Sequence, residues 1–293
     1  MRERIDPLIQ ERAPWVYRPG AHIRVARGLL HLLLGYDECV RRAEQIEHLP
    51  PDQLMDALAD MIALNIDVKG VEQVPESGPA MVVCNHPTGI ADGIIIWSVL
   101  RKRRPDLFFF ANRDAIRVMP QLDQMIAPVE WRAEKRSVGS NRETLTYAAK
   151  AFKQDRLAVL FPSGRLAKRR GLRLYERPWM PSAAMLARKN GLPVVPMHIT
   201  ARNSALFYLF DAMHPTLRDV TLFHEVINKD NHTFKVRAGR PLDGATLSKD
   251  SDLATQELYR ATMRAAAEGA DYSVLIPTAR PSWFGRQLAA FSR

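Results

Sequence analysis

The chain has 293 residues, of which 46% are hydrophobic and 25% charged, so it can build one large core and is not a disordered polyelectrolyte. Its net charge of +10 favours nucleic acid, anionic membranes or acidic proteins as partners, without choosing among them. Cys39 and Cys84 lie far apart and outside any CxxC pair, which argues against a disulfide framework and fits a reducing compartment.

The N-terminal 50 residues are predicted to form an arm and an amphipathic helix. Residues 1–20 contain three prolines and little periodicity, which predicts a loose arm. Residues 21–48 are predicted to form one helix, whose leucines lie beside several arginines and suit either burial or a membrane interface. Pro50 and Pro51 end this helix, and a short helix is expected over residues 52–64. We expect no secretory signal, because residues 1–12 are charged, and no spanning segment of about 20 apolar residues.

From residue 81 onward, short apolar runs alternate with helical patterns. Strands are predicted over residues 81–84, 107–111, 125–130, 157–161, 194–199, 221–227 and 233–238. Helices are predicted over residues 92–103, 141–153, 182–190 and 252–268. This alternation predicts an α/β domain over residues 51–270, with a largely covered sheet flanked by helices. Residues 271–293 form a basic tail, in which Trp283 and Phe284 suit a membrane interface.

The segment with the most specific chemistry is CNHPTGIADG, residues 84–93. It places His86 directly after a buried strand and Asp92 at the start of a helix. A His–Asp pair can deprotonate a hydroxyl or an amine, because the carboxylate orients the imidazole and stabilises the imidazolium. In one continuous helix, six steps of roughly 100° would put the two side chains about 240° apart. We therefore expect Pro87 and Gly89 to form a turn that lets them pair.

The alternative is that His86 and Asp92 merely cap a strand and a helix. The strand-loop-helix context, with Asn85 and Gly93 beside them, favours the pair. Asn85-His86 followed by Asp92 resembles the NH…D box of the glycerolipid acyltransferases, although five residues separate His and Asp here where four are commonest. The full string is similar to the NHPxGxxDG variant of a hemolysin-like branch with ornithine-lipid and lysolipid acyltransferases. The resemblance implies a mixed sheet, His86 as general base, Asp92 as its partner, and Asn85 and Gly89 as substrate-binding residues.

A second segment, LFPSGR at residues 160–165, follows another buried strand. Gly164 permits close approach of a ligand, and the Arg165 fork suits a phosphate or carboxylate. The segment resembles the FPEGTR box that binds the acceptor head group in this superfamily, which implies that Ser163, Gly164 and Arg165 bind substrate. Ser163 stands where the family usually has glutamate, and one residue is missing before Arg165. The basic run at residues 168–170 either deepens the positive field or is a solvated loop.

Two weaker matches follow in family order. Residues 127–132 lie where the family has a strand ending in a phosphate-binding arginine, which implies Arg132, with an ordinary charged surface as the alternative. Residues 194–199 resemble the VP box that lines the acyl or acceptor pocket, which implies Pro196. A proline in an apolar strand favours an edge or a strand end. His198 is interpreted as structural, and residues 202–204 (RNS) again match the hemolysin-like branch.

The resemblance over residues 81–204 implies direct acyl transfer, without an acyl-enzyme, from an acyl carrier protein or CoA thioester to a lysolipid acceptor. The expected location is cytoplasmic, peripheral on the anionic inner face of the cell membrane, and no metal or other cofactor is expected. A GxSxG serine hydrolase or a GxGxxG nucleotide-binding protein lacks its motif here, and nucleic-acid binding lacks interleaved aromatic residues. A non-catalytic or hydrolytic lipid-binding protein on the same scaffold stays open as the alternative.

Overall fold

The computed structural model describes residues 1–130, 137–171, 173–230, 232–266 and 272–274, with only the backbone at residues 138, 140 and 272–274. The C-terminal tail predicted over residues 271–293, with Trp283 and Phe284, therefore lies almost wholly outside the described residues. The helices are α1 (Arg2–Arg12), α2 (Ala21–Leu34), α3 (Tyr36–Ile46), α4 (Pro51–Ile62), α5 (Ile90–Leu100), α6 (Asp114–Val118), α7 (Val138–Lys153), α8 (Ser182–Asn190), α9 (Ala205–Met213), α10 (Pro215–Thr221), α11 (His224–Ile227) and α12 (Ser251–Ala265).

The strands are β1 (Asn65–Lys69), β2 (Ala80–Cys84), β3 (Phe108–Asn112), β4 (Ile126–Val129), β5 (Leu157–Leu160), β6 (Lys168–Arg170), β7 (Arg173–Tyr175), β8 (Pro193–Thr200), β9 (Thr233–Ala238), β10 (Leu242–Asp243) and β11 (Tyr272–Val274). The main sheet has the order β4-β3-β5-β2-β8-β9-β1, and β10 pairs with the start of β8. The five strands from β4 to β8 are parallel, whereas β9 runs antiparallel to β8. The predicted mixed α/β fold is confirmed.

Helices cover both faces of this sheet, as the continuous apolar strands predict. Alternate residues of β2 point to opposite faces, so that Val82 packs toward α4 and α5 while Met81 packs toward α7, α8 and α12. All of β2 is buried. Because parallel strands share a direction, the ends of β2, β5 and β8 meet at one edge of the sheet, where ligands bind in such folds.

The prediction of a loose N-terminal arm is wrong. Residues 2–12 form α1, and a 3-10 turn follows at Pro14–Tyr17. Ile5 and Ile9 of α1 pack in a separate apolar cluster with residues of α2, α3 and α10. Pro7 lies inside α1 despite its cost to a helix, because this burial holds the segment in place. Arg12 also forms an ion pair of 2.7 Å with Asp114 of α6, so the segment is fixed to the domain.

The single helix predicted over residues 21–48 is also wrong, because Gly35 separates α2 from α3. Gly35 has a φ of 62° and ends α2 in the left-handed conformation that glycine adopts without steric cost. The apolar periodicity continued through this break, so it gave no sign of it. None of the helices in the described part of the chain has the length and apolarity of a transmembrane span.

The strand predicted over residues 221–227 is wrong as well, although the following strand was predicted correctly as β9. The segment forms the end of α10 and all of α11. His214 caps α10 by accepting the Thr216 N–H, and Pro215 occupies its first position. The β-branched residues favoured a strand, but tertiary packing decided otherwise. Strand β1 and helix α9 were not predicted.

Candidate active site

A turn between β2 and α5 brings His86 and Asp92 together. Gly89 adopts a φ of 93°, a conformation that favours glycine, and α5 begins directly after it. Asp92 thus lies in the first turn of α5, and its Oδ2 is 2.9 Å from His86 Nδ1. The ring nitrogen lacks the alignment of a full hydrogen bond. Such contacts commonly tighten when substrate binds.

Asp92 is a fully buried carboxylate with several donors around it. Its Oδ2 accepts the backbone N–H groups of Thr88 at 2.8 Å and Gly89 at 2.9 Å, and its Oδ1 accepts the Thr88 hydroxyl. These bonds and the N-terminal end of α5 stabilise a negative charge there. Asp92 can therefore fix the imidazole with Nδ1 toward itself, which leaves Nε2 to take a proton from a substrate.

His86 is held from several sides. Its ring stacks on Phe161, with the ring centres 4.5 Å apart, and 17% of the side chain is exposed. Its backbone N–H donates to Glu176 Oε2 at 3.0 Å, and its carbonyl accepts the Ala167 N–H at 2.8 Å. The His86 ring thus lies near the surface, on a backbone that two hydrogen bonds hold in place.

Glu176 is the residue that sequence reasoning missed. Its Oε1 accepts the indole N–H of Trp179 at 3.1 Å, in addition to the His86 contact of its other oxygen. The residue is partly exposed as a whole, but its carboxylate is enclosed, and burial raises the pKa of Glu176 while the His86 N–H lowers it. The one sequence signal was the missing glutamate at Ser163, which does not reveal where a replacement would come from.

Asn85 joins two strands. Its side-chain amide donates to the Ile199 carbonyl at 2.9 Å, and its oxygen accepts the Ile199 N–H at 2.7 Å. Asn203 adds a contact of 3.3 Å to the Thr88 carbonyl. Both ends of the Asn85 amide are therefore used by β8, and this predicted substrate-binding residue acts within the framework that places the His86 turn.

The second predicted segment lies against the first. A Cβ at Gly89 would come within 3.2 Å of Leu166, so glycine there permits the close approach of the two loops. Ser163 is buried, and its hydroxyl donates to the Arg165 carbonyl at 2.9 Å. Gly164 turns the chain with a φ of 57°. The Arg165 side chain is exposed and forms no ion pair within the described residues.

The basic run at residues 168–170 is a strand of a hairpin rather than a loop. Lys168–Arg170 pairs antiparallel with Arg173–Tyr175, and its three residues are exposed. Arg169 lies over the Tyr208 ring and Arg170 over the Tyr175 ring, each 5.4 Å from the ring centre. The hairpin connects Ala167 and Glu176, which both hold His86, and it places positive charge beside the site.

Pro196 lies inside a central strand, so the prediction of an edge or a strand end is wrong. It pairs in register with Val83 of β2 and is buried. On its other side the neighbour of β8 changes from β10, at residues 193–194, to β9, at residues 197–200. Proline is tolerated at this changeover because it needs no partner for an N–H group, while its carbonyl accepts the Gly239 N–H at 2.8 Å.

The remaining predicted residues are placed as follows. His198 is buried, and burial lowers its pKa to about 4, so the ring is neutral at physiological pH. Arg132 lies outside the described residues. Within the described ranges, no group of three or more His, Cys, Asp or Glu residues could hold a metal ion.

The chain is similar in sequence to known acyltransferases. Residues 65–200 match the Acyltransferase family. A Lyso-glycine lipid O-acyltransferase of Phocaeicola vulgatus is 23% identical over 201 residues, which is 67% of this chain and 70% of that protein. The enzyme of the same name from Bacteroides thetaiotaomicron is 23% identical over 255 residues, 84% of this chain and 90% of the relative. The crystal structure of the 1-acyl-sn-glycerophosphate (LPA) acyltransferase of Thermotoga maritima aligns with a TM-score of 0.47 and 15% identity, covering 92% of this chain and 98% of the other.

The protein is an acyl-transferring enzyme. The match of residues 65–200 to the Acyltransferase family and the two O-acyltransferase relatives support the glycerolipid acyltransferase superfamily, which the NH…D resemblance implied. The narrower assignment to the hemolysin-like branch stays a prediction.

Proposed function

We propose that the enzyme transfers a fatty acyl group directly from a thioester to a hydroxyl of a lysolipid, with His86 as general base. The observation that carries this proposal is the 2.9 Å contact between His86 Nδ1 and the buried Asp92. Nε2 accepts the hydroxyl proton as the oxygen attacks the thioester carbonyl, and the imidazolium then returns that proton to the departing thiolate. Neither cysteine suits a covalent intermediate, because burial raises the pKa of the Cys39 and Cys84 thiols.

The acceptor is proposed to carry a carboxylate or a phosphate in its head group. Arg165 is exposed beside the His86 turn, and Arg202, which precedes Asn203, has a buried Nε without a hydrogen-bond partner. Neither arginine forms an ion pair with a carboxylate in the described part of the chain. A guanidinium binds a carboxylate or phosphate with two parallel hydrogen bonds. A lyso-glycine lipid, the acceptor named for the two relatives, a lyso-ornithine lipid and lysophosphatidic acid are therefore the candidates.

The proposal is tested by offering the purified protein palmitoyl thioesters of CoA and of acyl carrier protein, each with the three candidate acceptors in turn. Mass spectrometry should detect the O-acylated lipid with at least one acceptor, and His86→Ala should abolish it. Release of free fatty acid with the acceptor unused would support the hydrolytic alternative. Binding of the acceptor without turnover of any thioester would support the non-catalytic one.

We also propose that the protein works at the surface of the cytoplasmic membrane. Val25, Leu29, Leu32 and Leu33 form an apolar band on the outer side of α2, here called the α2 stripe, and are 55–81% exposed. Leu30 and Leu34, on the inner side of the helix, are buried in the N-terminal cluster. Exposed apolar side chains grouped on one helix face are unfavourable in water and suit the boundary of lipid head groups and acyl chains.

Helix α9 also exposes apolar side chains. Its residues Leu206 and Phe210 pack against the cluster that contains Leu30 and Leu34, while Leu209 and Met213 are 56% and 63% exposed. The net charge of +10 would add attraction to an anionic leaflet. A peripheral contact of this kind would bring a poorly soluble lysolipid to the site.

A further inference from the structure

The backbone of His86 forms hydrogen bonds with a segment that lies about 90 residues later in the chain. Ala167 donates its N–H to the His86 carbonyl at 2.8 Å, and Glu176 accepts the His86 N–H at 3.0 Å. The β6–β7 hairpin connects these two residues, so one element forms hydrogen bonds with both the N–H and the carbonyl of His86. Asp92 orients the ring of His86, whereas this hairpin determines where the backbone of His86 lies.

The Glu176 carboxylate is itself fixed. The Trp179 indole donates to its other oxygen at 3.1 Å, and the buried Ser163 side chain lies beside it. A carboxylate accepting bonds from donors of two different segments cannot move without breaking one of them. Glu176 thus occupies the space next to Ser163, the position at which the superfamily usually carries its glutamate in the second box.

We propose that Glu176 is a positioning residue for His86 and supplies, from beyond the hairpin, the carboxylate that the second box lacks at Ser163. This inference rests on His86 being the general base. Glu176 is not expected to touch the reacting atoms. Its contact with the backbone N–H sets the distance from Nε2 to the acceptor hydroxyl, and proton transfer depends steeply on that distance.

The test compares Glu176→Ala and Glu176→Gln with a matched control, Asp250→Asn. Asp250 also accepts backbone N–H groups, those of Asp252 and Leu253, but at the start of α12. Glu176→Ala should lower kcat on the order of 10- to 100-fold with KM values within about twofold of wild type, because misplacement of a base slows chemistry rather than binding. Glu176→Gln keeps one acceptor oxygen and should lie between Glu176→Ala and wild type. The control should keep wild-type kinetics.

A relocation variant separates positioning from mere stability. In Glu176→Ala combined with Ser163→Glu, a carboxylate returns from the other backbone position, and most of the lost kcat should be recovered. A folded Glu176→Ala protein with wild-type kcat would overturn the inference, as would a loss confined to KM, or a folded double variant without recovery. His86→Ala keeps the two hypotheses apart. If that variant is fully active, the proposed base is wrong. If it is inactive while Glu176→Ala is fully active, only the role of Glu176 is wrong.

Discussion

Replacing Leu29 and Leu32 of the α2 stripe with alanine should release the protein from anionic vesicles. Leu29 is 63% exposed and Leu32 is 81% exposed, so both side chains are available to a bilayer without any unfolding. Alanine keeps the helix, because it has the best helix propensity. The change therefore removes apolar surface from the outside of α2 and leaves the buried residues on its inner side in place.

The expected loss follows from the exposed fractions. Transfer of a whole leucine side chain out of water is worth about 1.5–3 kcal/mol, of which the exposed part of each residue can be gained on membrane insertion. Since alanine retains part of that surface, the loss is about 1 kcal/mol for each leucine. The two together should weaken vesicle binding by about 30-fold, at 1.4 kcal/mol for each tenfold change.

The assay is co-sedimentation with anionic and neutral liposomes over a range of lipid concentrations. Leu253→Ala on α12 is the matched control, because Leu253 is 57% exposed and its helix packs in a different apolar cluster from that of α2. Added salt should weaken the binding of wild type to anionic vesicles, since it screens the charge component but not the apolar one. Equal vesicle binding by wild type and the double variant would show that the α2 stripe does not contact lipid.

Four further outcomes are expected. His86→Ala should lower turnover roughly 10²–10⁴-fold while the circular dichroism spectrum is unchanged, and a wild-type rate would exclude a general base there. Arg165→Lys should raise KM for the acceptor more than it lowers kcat, because a point charge cannot replace the guanidinium fork; unchanged kinetics would make Arg165 a solvated residue. Burial lowers the pKa of His198 from 6.5 to about 4, so between these pH values the unfolded chain binds a proton at His198 and the folded chain does not. Stability in urea should therefore fall as the pH drops through that window, by at most about 1.4 kcal/mol for each pH unit, and His198→Gln should flatten the slope. Lys229→Met should destabilise the fold by about 3–5 kcal/mol, since it leaves the buried Glu225 carboxylate without its 2.7 Å ion-pair partner; a thermal melt like that of wild type would contradict this.

Local patterns predicted the parts of this site that local geometry determines. Helical periodicity showed that His86 and Asp92 could pair only across a turn, and the structure forms that turn at Gly89. The strands of the sheet centre were predicted within about two residues, because continuous apolar runs are read directly from the sequence. The α2 leucines fitted a buried or an interfacial face, and only the fold shows which of them are exposed.

The features that were missed depend on contacts between distant segments. Glu176 meets His86 only because a hairpin returns the chain to the β2 turn, and no pattern near either residue indicates that contact. Pro196 is acceptable in a central strand only because β8 changes neighbours there. Residues 2–12 form a helix because other helices bury their apolar side, which a count of prolines does not reveal.

The pairing of β2 has a consequence for synthesis of the chain. Its neighbours in the sheet are β5 and β8, so residues 80–84 stay without a partner on one side until residue 160 has left the ribosome, and on the other until residue 200 has. Contacts of such long sequence separation form slowly, and an unpaired apolar strand promotes aggregation in the meantime. Truncated chains that end before residue 157 should therefore be insoluble or bound to chaperones, and His86 acquires its surroundings only late in translation.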